Sequence, residues 1–150
     1  MATAEATEPD SLPLEGAADL GVIAFSGSFE RVHYALVLAT SAAAVGGRAI
    51  LFFTHDALRS LVEGDGWRLL PASGGALGGE IDDAYGRCGC ATFGELLRSA
   101  VALGVRFIAC EMGLRIARLA REDLRADVPI EVAGVVTLLA DPTARRLVFV

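Results

Sequence analysis

Five short runs of apolar residues, spaced along the chain, limit the folds that this sequence can adopt. Each run is continuous rather than alternating, which is typical of parallel strands buried on both faces. Segments suited to helices lie between the runs, as they do in β-α-β units. We therefore predict an α/β fold, a three-layer α/β/α sandwich around a mostly parallel sheet of about five strands. The predicted strands are residues 20–25, 48–54, 105–109, 129–133 and 146–150.

The segments between these strands have different characters. Thr92, with Glu95 three positions later, forms a capping box that marks the start of a helix. Residues 71–91 are rich in glycine and contain Cys88 and Cys90, which predicts a long irregular loop of the kind that is often functional. The predicted helices are residues 29–45, 55–63, 92–103, 110–126 and 135–140.

The length and apolar content favour one domain. A chain of 150 residues suits a single domain, which we place at residues 19–150. We expect residues 1–18, which are acidic and contain prolines, to form a flexible tail. The hydrophobic fraction is 53%, above the usual ~45–50%. This excess fits a sheet covered on both faces, or a chain that also buries surface against copies of itself.

The charged residues exclude several chemistries. With 13 basic and 19 acidic residues the net charge is −6, which argues against general nucleic-acid binding. All the cations are arginines, so a P-loop lysine, a Schiff base and a Ser-Lys dyad are excluded. The longest stretch free of Asp, Glu and Arg, Val32 to Gly47, is shorter than the ~18 apolar residues that suggest a membrane span. Without a secretory signal either, we expect a cytoplasmic protein with reduced thiols.

Chemistry in an open parallel sheet is expected just beyond the carboxyl ends of its strands. The residues at those positions are far apart in the sequence, but the predicted fold would gather them at one edge. They are Ser26, Gly27 and Ser28 after the first strand, Thr54, His55 and Asp56 after the second, Cys110 and Glu111 after the third, and Gly134 after the fourth.

Cys110 is the candidate nucleophile in this set. It lies where a strand changes into a helix, and the unpaired N–H groups and dipole of a helix N-terminus favour a thiolate over a thiol. Thiolate is the species that attacks in sulfur exchange. The adjacent negative charge of Glu111 acts in the opposite direction. The alternative is a buried cysteine that packs as a small hydrophobic residue.

The possible helpers of Cys110 each have an ordinary structural alternative. His55 is either a base that orients the thiol or a polar residue at a helix start. The turn Ser26-Gly27-Ser28 offers backbone N–H groups that could hold an anion. Cys88 and Cys90 are either secondary thiols that resolve Cys110, a weak metal half-site completed by Cys110 or His55, or unrelated loop residues.

Four arginines recur every three or four residues along the predicted helix that follows Cys110. Such spacing places them on one side of a helix. This side is a solvated face, an anion-binding wall beside the thiol, or an interface with another subunit. Arg115 is nearest to the thiol and is the best candidate for a functional role. The four are Arg115, Arg118, Arg121 and Arg125.

Residues 91–136 combine features found together in one family. A leucine-rich helix ends in glycine, a strand ends in Ala109-Cys110, a helix bearing Met112 follows, and Gly134-Val135-Val136 comes after the next strand. With Ile108–Gly113 at its centre, this pattern resembles the DsrE/DsrF-like sulfur-relay family, in particular its peroxiredoxin-family or DsrE-like branch. The segment after the cysteine reads Glu-Met-Gly-Leu-Arg, where related sulfur carriers often have Gln-Met-Ser-Met-Asp.

The resemblance implies a DsrEFH-like fold and a sulfur carrier or sulfurtransferase. Cys110 would accept sulfane sulfur as a persulfide from a donor protein and pass it to an acceptor, with no metal and no organic cofactor. It also implies a homo-oligomer, a trimer or a hexamer. One alternative is a non-enzymatic oligomeric module that assembles or binds a small ligand at the strand ends, and a weaker one is a thiol redox or metal sensor. A Cys110 thiol packed in the core would favour the non-enzymatic module.

Overall fold

The computed structural model describes residues 19–150, so the predicted tail at residues 1–18 lies outside the described part. Its strands are β1 (Leu20–Ala24), β2 (Ala49–Phe53), β3 (Arg106–Cys110), β4 (Ile130–Ala133) and β5 (Leu147–Phe149). Its α-helices are α1 (Phe29–Ala44), α2 (Gly78–Arg87), α3 (Phe93–Ala102), α4 (Glu111–Ala117) and α5 (Val135–Ala140). Short 3₁₀ helices occur at His55–Leu61, Gly66–Leu69, Ser73–Gly75 and Arg121–Asp123.

All five strands form one parallel sheet in the order β4-β3-β2-β1-β5. The predicted α/β fold is therefore confirmed, and the sheet is entirely parallel. In the centre, Leu51 lies between Val22 on β1 and Phe107 on β3. Because every strand runs the same way, all the carboxyl ends meet at one edge of the sheet, which places the expected site residues together.

The two faces of the sheet are covered unequally. The first face, with Leu51, Phe53 and Phe107, packs into the main core under α1 and α3. The second face has a smaller core made of Ile50, Phe52, Ile108 and Cys110, and Leu138 of α5 completes it. Since α5 has only six residues, it covers the middle of this face and leaves its borders open. Val136 of α5 and Phe149 of β5 are 76% and 67% exposed.

The prediction of an irregular loop across residues 71–91 is wrong, because α2 occupies Gly78–Arg87. Its first glycine allows close packing, because a Cβ on Gly78 would overlap the Trp67 carbonyl oxygen and lie 2.8 Å from the Phe29 ring. The helix start is held by the Glu80 carboxylate, which accepts a hydrogen bond of 2.7 Å from the Leu77 amide. The predicted capping box at Thr92 is confirmed, with the Thr92 amide donating to Glu95 at 2.8 Å.

The helix predicted from residue 110 to 126 is also wrong in its length. The helix α4 ends at Ala117, and Arg118 adopts a left-handed conformation with φ of 56°. The Leu119 amide donates to the Leu114 carbonyl at 2.9 Å and closes the helix end. The chain then turns through Arg121–Asp123, which allows Leu124 to be buried. The four arginines therefore do not share one helix face.

The helices predicted at residues 29–45, 92–103 and 135–140 are confirmed as α1, α3 and α5, to within one residue at each end. Residues 55–63 form a 3₁₀ helix at His55–Leu61 rather than an α-helix.

In the part of the chain that the structure describes, no helix is both long and apolar enough to cross a membrane.

Candidate functional site

Three segments meet at the carboxyl edge of the sheet, as the sequence predicts: the first loop after β1 (residues 25–28), the second loop after β2 (residues 54–56) and the start of α4. A Cβ on Gly27 would lie 2.7 Å from the Cβ of Asp56, so the first loop contacts the second at a position that only glycine fits. A Cβ on Gly113 would lie 2.6 Å from the Thr54 hydroxyl, so the start of α4 approaches the second loop equally closely. The rings of Phe25 and His55, with centroids 4.2 Å apart, link the first and second loops.

Cys110 lies at the centre of this edge, as the last residue of β3 and the N-cap of α4. Its Sγ accepts a hydrogen bond of 3.4 Å from the Gly113 amide. This N–H donor stabilises negative charge on sulfur. The residue is only 3% exposed, and it packs with Phe52, Ile108 and Leu138 on the second face. The thiol thus belongs to a small core that Leu138 of α5 completes.

His55 is beside this cysteine in the fold, but its ring has other partners. His55 Nδ1 and the Thr54 hydroxyl share a hydrogen bond of 3.0 Å, and the ring packs on Phe25. Within residues 19–150, no hydrogen bond joins His55 to Cys110. His55 also has a left-handed backbone, with φ of 49°. Such strain costs about 1–3 kcal/mol and is found more often at functional sites.

In the turn at Ser26, Gly27 and Ser28, the Ser28 hydroxyl already binds a carboxylate of the protein. The Ser28 hydroxyl donates to Glu30 at 3.1 Å, and the Ser73 amide donates to the other oxygen of Glu30 at 2.7 Å. Burial tends to raise the pKa of Glu30, but these donors outweigh it and hold the pKa below its usual value. The Ser28 amide donates to the Ser26 hydroxyl at 3.1 Å. The Ser28 amide and hydroxyl are therefore engaged, by Ser26 and by Glu30 respectively.

Arg115 points away from the thiol. Its guanidinium donates to the Glu111 carboxylate at 3.1 Å, and its side chain is 78% exposed. A pair this exposed contributes about 0–1 kcal/mol to stability. It also places a positive charge next to Glu111, the residue expected to oppose a thiolate at Cys110. The charge partner of Arg115 is therefore Glu111 rather than the thiol.

Cys88 and Cys90 lie away from Cys110. All three cysteines are free, and both loop thiols are exposed whereas Cys110 is buried. Cys88 ends α2, and Cys90 lines a groove with His33 and Tyr85 beside α1, on the side of the first face. Cys110 belongs to the core of the second face. Across residues 19–150, no group of three or more His, Cys, Asp or Glu side chains is placed to hold a metal.

Two residues that the sequence analysis did not single out shape the site. Gly113 lets α4 approach the second loop, and Leu138 covers the thiol. A glycine inside a helix lowers the stability of the helix by about 1 kcal/mol relative to alanine. A glycine inside a predicted helix can therefore indicate a close contact that leaves no room for a side chain. Nothing comparable in the sequence points to Leu138, because the residues that it contacts lie on β2 and β3 and are distant in sequence.

A scan against protein-family models finds no match to this chain, and a search of curated proteins finds no significant match. We therefore infer function from the residues themselves. They provide a buried cysteine with one backbone N–H donor and a histidine with a left-handed backbone, both at the edge where α/β proteins bind their ligands.

Proposed function

We propose that this protein is a cysteine-dependent sulfur carrier, a sulfurtransferase when paired with a donor and an acceptor, and that Cys110 holds the sulfur as a persulfide. The observation that supports this most is the hydrogen bond from the Gly113 amide to Cys110 Sγ. The donor stabilises the thiolate before loading, and it remains available when the thiolate is regenerated. The three free thiols fit a reducing compartment, which supports our proposal of a cytoplasmic protein.

Two exchange steps would move the sulfur. The Cys110 thiolate attacks the outer sulfur of a donor persulfide or of thiosulfate, a new S–S bond forms, and the donor thiolate or sulfite leaves with the electron pair of the broken bond. An acceptor thiolate then attacks the outer sulfur on Cys110, and Cys110 leaves as a thiolate. There is no net oxidation in the cycle, and no metal or organic cofactor is needed.

Burial of Cys110 requires that the site open before each step. The covering helix α5 is short, and Leu138 is its fully buried residue, whereas Val136 and Leu139 are 76% and 60% exposed. Its carboxyl end is held by an ion pair between Arg106 and Asp141. An element with so few buried contacts opens at a lower free-energy cost than the whole protein unfolds. The closed state would shield a persulfide from reducing thiols.

Sulfur loading is testable by intact-protein mass spectrometry after incubation with polysulfide or thiosulfate. The measurement is made in the double variant Cys88→Ser, Cys90→Ser, because those two thiols are exposed and would also take up sulfur. We expect a gain of about one or two sulfur atoms in this variant, and we expect the gain to be lost when Cys110→Ser is added. No gain in the double variant, or a gain that survives the addition of Cys110→Ser, would contradict the proposal.

The second candidate is a non-enzymatic assembly module, and the burial of Cys110 together with the exposed apolar residues of the second face favours it. Leu139 on α5 and Phe149 on β5 are 60% and 67% exposed. Contact with a second copy of the chain would cover them, in agreement with the trimer or hexamer that the resemblance implies. Large exposed apolar patches mark interaction sites of this kind.

Analytical ultracentrifugation distinguishes this candidate. We expect an oligomer that Leu139→Glu dissociates, whereas Leu69→Glu, which changes a leucine that is 74% exposed in a separate 3₁₀ helix, has no effect. A monomeric wild-type chain would exclude the assembly module. An oligomer without sulfur loading would favour it over the carrier.

A further inference from the structure

A cavity of about 510 Å³ lies in the helical layer over the first face of the sheet. Its walls come from α2, α3, the 3₁₀ helix Gly66–Leu69 and the segment before β4. Leu97, Val101 and Val128 form an apolar side, and a volume of this size suits a small organic ligand. Cys110 belongs to the opposite face, so the cavity is separate from the proposed sulfur site.

Asp82 is a buried carboxylate at this cavity and is only 4% exposed. One of its oxygens, Oδ1, accepts a hydrogen bond of 2.7 Å from the Phe93 amide, at the start of α3. Thr92 and Gly94, on either side of Phe93, also line the cavity, so the carboxyl group is directed toward it. The second oxygen accepts no hydrogen bond from residues 19–150, yet it is not sealed from solvent.

The charge of Asp82 is not neutralised by a cation in the described part of the chain. Its pKa is raised, chiefly by burial, although the Phe93 amide and the more distant charges of His33 and Arg68 act in the other direction. Burial without an ion-pair partner is costly for a carboxylate. A bound cation would supply the missing partner and would lower that cost.

Unlike Asp82, the other carboxylates at the cavity, Asp65 and Asp127, have a salt-bridge partner. Arg125 is engaged by two carboxylates, Asp127 at 2.6 Å and Asp65 at 3.3 Å, so its charge is compensated. Arg98 lies at the α3 wall, and a Cβ on Gly94 would be 3.4 Å from its guanidinium. Two guanidinium groups therefore face three carboxylates, and the buried carboxylate is the one without a salt bridge within residues 19–150.

We propose that this cavity binds a small organic cation, an amine or amidine joined to an apolar body. The cationic group would pair with the free oxygen of Asp82, and the apolar body would lie against Leu97, Val101 and Val128. This site needs neither Cys110 nor the movement of α5, so it stands or fails separately from sulfur transfer.

The test is a calorimetric titration of the full chain with benzamidine, with benzyl alcohol and benzoate as the neutral and anionic probes. We expect saturable binding of benzamidine alone, weakened at least about tenfold by Asp82→Asn. Asparagine keeps an oxygen that can accept the Phe93 amide, so α3 retains its first hydrogen bond. The matched control is Asp83→Asn, which removes an exposed neighbouring carboxylate paired with Arg68 and should leave affinity unchanged.

A second measurement covers the case in which Asp82→Asn does not fold. In the wild-type chain, the Asp82 carboxyl resonance should titrate at lower pH when benzamidine is bound, because a cation favours the charged form. Equal affinity for benzoate, an unchanged affinity in folded Asp82→Asn, or an Asp82 titration unaffected by benzamidine would each overturn the proposal.

Discussion

Replacing Leu138 with alanine should expose the Cys110 thiol. Leu138 is fully buried and packs with Ile50, Phe52, Ile108 and Cys110. Leucine-to-alanine changes at such sites cost about 2–5 kcal/mol, and we expect the lower end, about 2–3 kcal/mol, because a six-residue surface helix can settle into the space. If α5 opens as a unit, this loss applies fully to the opening step. A cost of that size would accelerate alkylation of Cys110 roughly 30- to 150-fold.

The assay is the rate of N-ethylmaleimide addition, followed by intact-protein mass spectrometry. It is made in a background of Cys88→Ser and Cys90→Ser, because those thiols are exposed and would react first. The matched control is Leu139→Ala, on the same helix but 60% exposed, which should change the rate little. Equal rates for Leu138→Ala and Leu139→Ala, with both proteins folded by circular dichroism, would refute α5 as the element that controls access.

Three further predictions concern stability in urea denaturation. Thr92→Ala should lower the free energy of unfolding by about 0.5–1 kcal/mol, because the helix cap is lost. Thr92→Ser keeps the hydroxyl and should stay near wild type. Equal free energies of unfolding for the two variants would contradict the capping role. Gly113→Ala should lower the free energy of unfolding by about 1–3 kcal/mol, because its Cβ would lie 2.6 Å from the Thr54 hydroxyl. Gly94→Ala should be tolerated, because the nearest neighbour of its Cβ is the flexible end of an arginine 3.4 Å away. Similar losses in both variants would contradict this prediction. Burial raises the pKa of Asp82 in the folded state. The contribution of Asp82 to stability is therefore complete only below its pKa in the unfolded state, and it is lost as the pH rises through its pKa in the folded state. The stability of wild type relative to Asp82→Asn should therefore fall from about pH 4 upward, and a constant difference would count against the shift.

The strands could be predicted from the sequence because β2 and β3 are buried on both faces. Four of five residues of β3 and all five of β2 are buried, so their sequences are continuous apolar runs that local periodicity reveals. The capping box of α3 was equally local, since Thr92 and Glu95 are three positions apart. The strand order was not predicted, because it depends on which surfaces the connecting helices cover.

The helix α2 was missed because its glycines serve packing rather than a turn. Gly78 lies against the Trp67 carbonyl and the Phe29 ring, contacts with residues distant in sequence. A local argument treats such a glycine as a sign of loop. The early end of α4 was missed because neither glycine nor proline marks Arg118, which adopts a left-handed backbone. Beyond it, Leu124 is buried and forms a β-bridge with Val62, a residue distant in sequence.

The position of the site was more predictable than its contacts. Parallel topology alone brings His55 and Cys110 to one edge. The partners of each side chain depend on local geometry that spacing does not contain: Arg115 pairs with Glu111, and Ser28 with Glu30. The burial of Cys110 depends on α5 crossing the second face. For this reason the sequence left open whether the thiol is exposed or packed.

The sheet order also determines when β1 is complete during folding. β1 can pair with β2 early, but its other neighbour is β5, with Gly21 opposite Leu147 at the far end of the described chain. Contacts between residues so distant in sequence form slowly. Until residues 147–149 pair with it, the N–H and C=O groups along one side of β1 stay unpaired, and this open edge can pair with another chain. Once β5 has paired, it becomes the edge of the sheet, and an edge strand of only three residues is a poor template for further pairing.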